Sequence, residues 1–235
     1  MLDFIRIACA VPAVRVGDTA KNAEDICAYI EKADGERADI VLFPELALTG
    51  YTCQDLFFQD TLWTGVQQGI RKIADCTKNH PGVTAAVGLP VRTGMRLYNC
   101  AAVISRGKIH ALVPKTYIPN YNEFYEKRWF SSGAEVTEDM AELLGEPVPV
   151  LPRAVFRVGG TLLGVEICED MWTPLPPSTF LALKGAEVIL NLSASNETIG
   201  KRSYRRGLVQ HQSAALNCVY AYCSAGSTES TQDLI

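Results

Sequence analysis

Apolar residues recur along this chain in two alternating rhythms. Residues 4–11 (Phe4-Ile5-Arg6-Ile7-Ala8-Cys9-Ala10-Val11) form a nearly unbroken apolar run of strand length, and Asp18-Thr19 then opens a mixed segment reaching Lys32, which predicts a buried strand followed by a capped helix. Asp39-Ile40-Val41-Leu42-Phe43 predicts a second strand, stopped by Pro44. Over 62–77 the apolar residues Val66, Ile70, Ile73 and Ala74 follow the helical period, and Val83-Thr84-Ala85-Ala86-Val87-Gly88 predicts strand again. Two hairpins are expected next, 97–105 with 108–114 around Arg106-Gly107, and 154–158 with 161–168 around Gly159-Gly160. A helix over 176–185, a strand over 187–193, a helix over 204–217 and a strand over 218–224 complete the pattern. This alternation predicts an α/β fold with helices covering the sheets. The acidic, proline-containing stretch 131–152 reads as a surface excursion, and 226–235 as a loop entering a further strand beyond Ile235.

Composition narrows the class. With 235 residues, 48% hydrophobic and 20% charged, the chain can bury a sizeable core, which excludes disorder as a whole-chain description. Twenty-two Lys and Arg against 26 Asp and Glu give a net charge of −4, so no basic field points to nucleic acid. The apolar runs are too short for a membrane span, and the N-terminal residues lack the pattern of a secretory signal, which predicts a cytoplasmic location. Eight cysteines are scattered without a Cys-x-x-Cys pair, and three histidines lie far apart, so neither disulfides nor zinc is expected.

Phosphate-binding glycine loops and the Gly-x-Ser-x-Gly elbow of serine hydrolases are missing. Three reactive residues instead follow directly on apolar strands: Glu45 after Val41-Leu42-Phe43-Pro44, Lys115 after Ala111-Leu112-Val113-Pro114, and Cys168 after Leu163-Gly164-Val165-Glu166-Ile167. Strand ends present side chains on a rigid base, so the three could converge. A thiol needs a base, its oxyanion a cation or N–H groups, and a leaving amine an acid; Glu, Lys and Cys supply these. Taken singly, each is also an ordinary rim or packing residue. A Cys-His pair is the alternative, although His211 falls mid-helix and His80 beside Pro81. From the residues alone the chain reads as a soluble α/β enzyme with a candidate Cys nucleophile.

The surroundings of these residues resemble the nitrilase, or carbon-nitrogen hydrolase, superfamily. The marks are Phe43-Pro44-Glu45-Leu46-Ala47-Leu48-Thr49-Gly50-Tyr51, Val113-Pro114-Lys115-Thr116-Tyr117-Ile118-Pro119 and Gly164-Val165-Glu166-Ile167-Cys168-Glu169-Asp170-Met171-Trp172, in that order, with Val16-Gly17-Asp18 and Asn22 upstream. Gly50-Tyr51-Thr52-Cys53-Gln54-Asp55-Leu56-Phe57, the run from Pro119 to Phe130, and Asn191-Leu192-Ser193-Ala194-Ser195 are similar to the amidase domains of glutamine-dependent NAD synthetases. This resemblance implies a four-layer α-β-β-α sandwich, paired as a homo-oligomer, across 1–235. It implies Glu45 as general base, Cys168 as nucleophile forming a glutamyl thioester, Lys115 and the Glu169 N–H as oxyanion donors, and Glu123 as a second glutamate orienting Lys115. Tyr51, Tyr121 and Phe124 would line a glutamine pocket, with Glu169 and Ser195 at the α-amino end. Lys201 would hold the α-carboxylate, although Lys lacks the fork of Arg and Arg202 is the neighbouring alternative. The resemblance places ATP, magnesium and deamido-NAD in a C-terminal synthetase domain outside this sequence, with the amidase domain itself extending past Ile235. A free-standing amidase or carbamoylase, and a non-catalytic scaffold, are the competing readings.

Overall fold

A computed structural model of the chain describes residues 4–229. In chain order the elements are β1 (Ile7–Cys9), α1 (Thr19–Gly35), β2 (Ile40–Leu42), α2 (Asp60–Asn79), β3 (Thr84–Thr93), β4 (Arg96–Ser105), β5 (Lys108–Pro114), β6 (Asn120–Tyr121) and β7 (Phe124–Tyr125). They continue with β8 (Met140–Leu143), β9 (Glu146–Pro149), β10 (Val155–Val158), β11 (Thr161–Ile167), α3 (Pro177–Leu183), β12 (Val188–Ser193), α4 (Lys201–Leu216) and β13 (Val219–Ser224). One sheet runs β1-β2-β3-β4-β5, parallel through its first three strands and antiparallel through its last three; a second runs β10-β11-β12-β13, with only β10 antiparallel.

Strand alternation explains how four layers assemble. Val41 and Phe43 join Ile26, Ile30, Val66, Ile70 and Ile73 in a core between the first sheet and α1 and α2. Ile40 and Leu42, one residue out of phase, join Val103, Val113, Leu163, Val165, Ile167, Leu190 and Leu192 in a core between the two sheets. Ile189 and Tyr220 turn the other way, toward Leu181 of α3 and Leu208 of α4. Three apolar seams therefore separate four layers, helix, sheet, sheet, helix, and central strands such as β2 and β12 read as continuous apolar runs because both of their faces are covered. Asp18 caps α1 as expected, its carboxylate accepting from the Lys21 N–H at 3.0 Å.

Several boundaries differ from the sequence reading. The strand expected over 4–11 pairs only across Ile7–Cys9, and the strand expected over 83–88 runs on to Thr93, where it turns into β4. The stretch 131–152 is no free excursion. Its hairpin β8–β9 buries Ala141, Leu143, Val148 and Val150 in the helix-side core, while Met140, Glu142 and Glu146 point outward. Those outward charges gave the segment its acidic composition and hid an ordinary period-two strand. Of the loop expected over 226–235, Ser227–Glu229 forms one 3-10 turn, and the remainder lies outside the described residues. Among the described residues no helix is long and apolar enough to cross a membrane.

Candidate active site

The strands deliver their reactive residues to one end of the sandwich. After β2 the chain turns sharply at Glu45 and Leu46, the latter at φ +51°. Gly88 of β3 permits this turn, because a Cβ there would stand 2.3 Å from the Leu46 nitrogen and 2.6 Å from the Pro44 oxygen. Glu45 is buried, and both of its oxygens are engaged. Oε2 accepts from the Ala194 N–H at 3.0 Å; Oε1 accepts from Asn99 Nδ2 at 2.6 Å and from Lys115 Nζ at 2.7 Å.

Lys115, fully buried beyond the end of β5, is fixed through its backbone as well. Its N–H donates to the Asn99 carbonyl at 2.8 Å, and its carbonyl accepts from the Gly133 N–H at 2.7 Å. The ammonium also donates to Glu126 Oε1 at 2.7 Å, which accepts the Tyr51 hydroxyl at the same distance. The second glutamate on Lys115 is therefore Glu126, not Glu123. Glu123 sits in the turn between β6 and β7 and borders the cavity, whereas Glu126, in the following 3-10 turn, faces inward. Tyr51 is corrected likewise: its hydroxyl serves Glu126 rather than the cavity lining.

Cys168 follows β11 at φ +44°, a left-handed conformation that costs a non-glycine residue energy and is concentrated at functional sites. Burial, and then the Glu45 charge, push its thiol up, while Lys115 and the Ala194 N–H pull it down. Burial pulls the Lys115 ammonium down, yet the Glu126 and Glu45 charges outweigh it and hold the ammonium well above its usual range. Burial raises the Glu126 carboxyl to about 7, with Lys115 opposing and Glu45 reinforcing the rise. Two carboxylates thus share one buried ammonium beside a thiol, and of the two the Glu45 charge acts on that thiol more strongly, which makes Glu45 the candidate acceptor of its proton.

A cavity of about 290 Å³ opens on Cys168. Tyr121, Phe124, Glu169, Ser195 and Lys201 all border it, whereas Tyr51 does not; Glu123 and Glu126 both reach its lining. On one wall Tyr121 donates to both oxygens of Glu169, at 2.8 and 2.9 Å. On another, Lys201 bonds Asn196 Oδ1 and lies 5.1 Å from the Trp172 ring centre and 5.9 Å from that of Phe124. Arg202 is exposed on α4 and absent from the lining, so Lys201 is the cation the cavity holds.

No histidine borders this cavity among the described residues: His80 pairs with Asp34, and His110 with Ser105. Nor is any group of three His, Cys, Asp or Glu side chains there placed to hold a metal ion. Sequence reasoning missed Asn99, Glu126, Asp170, Trp172 and Asn196. Asn99 carries a readable signal, an amide inside the apolar run Leu97 to Val103 that burial obliges to find a partner.

The carbon-nitrogen hydrolase family model matches residues 6–232. The glutamine-dependent NAD(+) synthetase of Mycobacterium tuberculosis is 38% identical over 234 residues, covering 98% of this chain and 34% of that protein. The corresponding protein of Xylella fastidiosa is 37% identical over 223 residues, 94% of this chain and 37% of its own length. The chain thus spans about a third of the length of these curated relatives. Among solved structures, a glutamine-dependent NAD(+) synthetase from Cytophaga hutchinsonii matches with a TM-score of 0.82 at 29% identity, over 95% of this chain and 36% of that one. A nitrilase-superfamily amidase of Nesterenkonia AN1 matches with a TM-score of 0.78 over 98% of this chain and 79% of its own, a likeness of fold alone at 19% identity. Since the family model covers nearly every residue from β1 past β13, including the strand ends that carry Glu45, Lys115 and Cys168, the chain belongs to the carbon-nitrogen hydrolase family.

Proposed function

We propose that this chain is the glutaminase part of a glutamine-dependent NAD synthetase, releasing ammonia for the ATP-dependent amidation of deamido-NAD by a synthetase domain outside the sequence. The observation that carries this reading is the charge content of the cavity: the Cys168 thiol, the Glu169 carboxylate and the Lys201 ammonium all border it. An α-amino acid whose side chain ends in a carboxamide has the complementary charges and a neutral reactive end. Kinship with NAD synthetases at 38% and 37% identity supports glutamine over other amides. ATP and magnesium belong to the other domain, and no step here passes through them. A homo-oligomer in the cytoplasm fits the same reading.

In this mechanism Glu45 takes the thiol proton as Cys168 Sγ attacks the carboxamide carbon. The carbonyl π pair moves onto oxygen, where the Lys115 ammonium and the Glu169 N–H stabilise it. Collapse breaks the C–N bond; Glu45 returns its proton to the departing ammonia, leaving a glutamyl thioester. Water, deprotonated by Glu45, then breaks the C–S bond, glutamate leaves and the thiol regains a proton. Glu45 and Glu126 together hold the Lys115 ammonium in its charged form.

The test is ammonia release by the chain from L-glutamine, beside a short aliphatic amide of the kind a free-standing amidase takes. Glutamine turnover that disappears in Lys201→Ala supports the reading. Turnover of the aliphatic amide alone, indifferent to Lys201, contradicts it.

A further inference from the structure

Asp170 is a buried carboxylate outside the reacting cluster, engaged by three backbone N–H groups, and nothing in the mechanism above uses it. It follows Cys168 by two residues and is 1% exposed. Oδ1 accepts from the Tyr117 N–H at 2.8 Å and the Thr116 N–H at 3.1 Å; Oδ2 accepts from the Ile167 N–H at 3.0 Å, with Thr116 shared at 3.4 Å. Thr116 and Tyr117 directly follow Lys115, and Ile167 directly precedes Cys168. One side chain therefore fastens the backbone beside the ammonium to the backbone beside the thiol. The two come from different sheets, β5 of the first and β11 of the second, whose apolar contacts fix spacing without fixing register. Other polar ties nearby, such as those from the Tyr117 hydroxyl to the Leu175 carbonyl at 2.9 Å and from the Ala194 N–H to Glu45 Oε2 at 3.0 Å, do not reach the N–H groups of 116, 117 and 167.

The partner contacts show why a carboxylate is needed. The Lys115–Tyr117 segment is held from the other side by the Gly133 N–H on the Lys115 carbonyl and by Ser132 Oγ on the Thr116 carbonyl. Its N–H groups at 116 and 117 are left to Asp170 alone among the described contacts. Burial, and then the Glu166 charge, push the Asp170 carboxyl up to about 8, while the Ile167 and Tyr117 N–H groups pull it down by favouring the ionised form. Three N–H donors from two elements converge on its two oxygens, a demand that the ionised, acceptor-only carboxylate meets and an amide, with one oxygen and one NH2, does not.

We propose that Asp170 is a positioning residue for the amidase reaction: it sets the separation of Lys115 from Cys168, so that the ammonium stands where the tetrahedral oxyanion forms. This rests on the reading of Cys168 as nucleophile and Lys115 as oxyanion donor. An oxyanion donor acts over hydrogen-bond distances, and displacement by about 1 Å can cost on the order of 100-fold in rate. Glutamine binding draws instead on the side chains of Tyr121, Phe124, Glu169 and Lys201, and the Asp170 carboxylate hydrogen-bonds to none of these among the described contacts.

The test compares the chain with Asp170→Asn. The expected result is a fall in kcat of about 100-fold with the glutamine KM within about threefold, together with faster hydrogen exchange at the Thr116, Tyr117 and Ile167 amides. Alkylation of Cys168 by iodoacetamide, which needs neither glutamine nor an oxyanion donor, should stay within about threefold of the unsubstituted chain. Equal loss in kcat and in iodoacetamide reactivity, or unchanged kcat in a folded variant, overturns the proposal. Exchange in the unsubstituted chain decides the matter if Asp170→Asn fails to fold: slow amides at all three positions support the clamp, and rapid exchange at Thr116 and Tyr117 overturns it. If glutamine is not turned over at all, the function reading fails separately, while the exchange comparison still reports on the clamp.

Discussion

Two ion pairs of this protein have the same 2.7 Å length and opposite meanings. Arg128 grips Asp55 with two nitrogens at that distance, joined by Trp129 Nε1 at 2.9 Å, and both charged side chains are more than half exposed. Lys115 meets Glu45 and Glu126 at the same distance with none of the three reaching solvent. Water already solvates the first pair, so bringing its members together gains little. The second carries the desolvation of three charges, which hydrophobic side chains of the same shape would avoid. A fold that keeps such a cluster beside a strained cysteine spends stability on chemistry rather than gaining it.

Lys115→Met should show the largest effect, since it leaves two carboxylates without their cation. A loss of about 3–5 kcal/mol in urea unfolding is expected, along with glutaminase activity below detection; retention of either would show that the ammonium is peripheral. Glu126→Gln reads the same cluster through pH. With the folded carboxyl raised from 4.5 to about 7, the unfolded chain gives up this proton first as pH rises. Stability from the neutral form is therefore complete below pH 4.5 and declines through pH 7, by roughly 3 kcal/mol on the linkage relation. The Gln variant lacks that decline, so the two curves of unfolding free energy against pH should diverge between 4.5 and 7; parallel curves would refute the assignment.

Gly88→Ala tests the backbone beneath Glu45. The added methyl overlaps the Pro44–Leu46 backbone, with an expected cost of about 1–3 kcal/mol and a larger proportional loss of activity, measured by melting and by ammonia release. Arg128→Ala completes the comparison at the small end. It should leave the melting temperature and the glutamine kcat indistinguishable from those of the unsubstituted chain, and a clear loss of either would mean that exposure misjudges the pair.

Much of this architecture was legible in the chain. Strands such as 39–43 and 187–193 are apolar on both faces, a pattern only a doubly covered sheet requires, and Arg106-Gly107 takes the left-handed turn its residues suggest, with φ of +52° and +77°. Glu45, Lys115 and Cys168 were visible because chemistry at a strand end breaks an apolar run. Glu126 was not, because Glu123 and Glu126 lie three residues apart in one polar segment, and only the tight β6–β7 turn decides which faces inward. Asp170 was hidden by its function: its partners are backbone N–H groups, which leave no mark on residue identity.

The proposed function requires Cys168, alone among the eight cysteines, to react with a glutamine-like electrophile. Intact mass after exposure to 6-diazo-5-oxo-L-norleucine, a glutamine-like electrophile, tests this most directly, with Cys168→Ala alongside. The account predicts one adduct on the chain despite its eight cysteines, and none on the variant. Adducts spread over several cysteines, or an adduct that persists in Cys168→Ala, would contradict it.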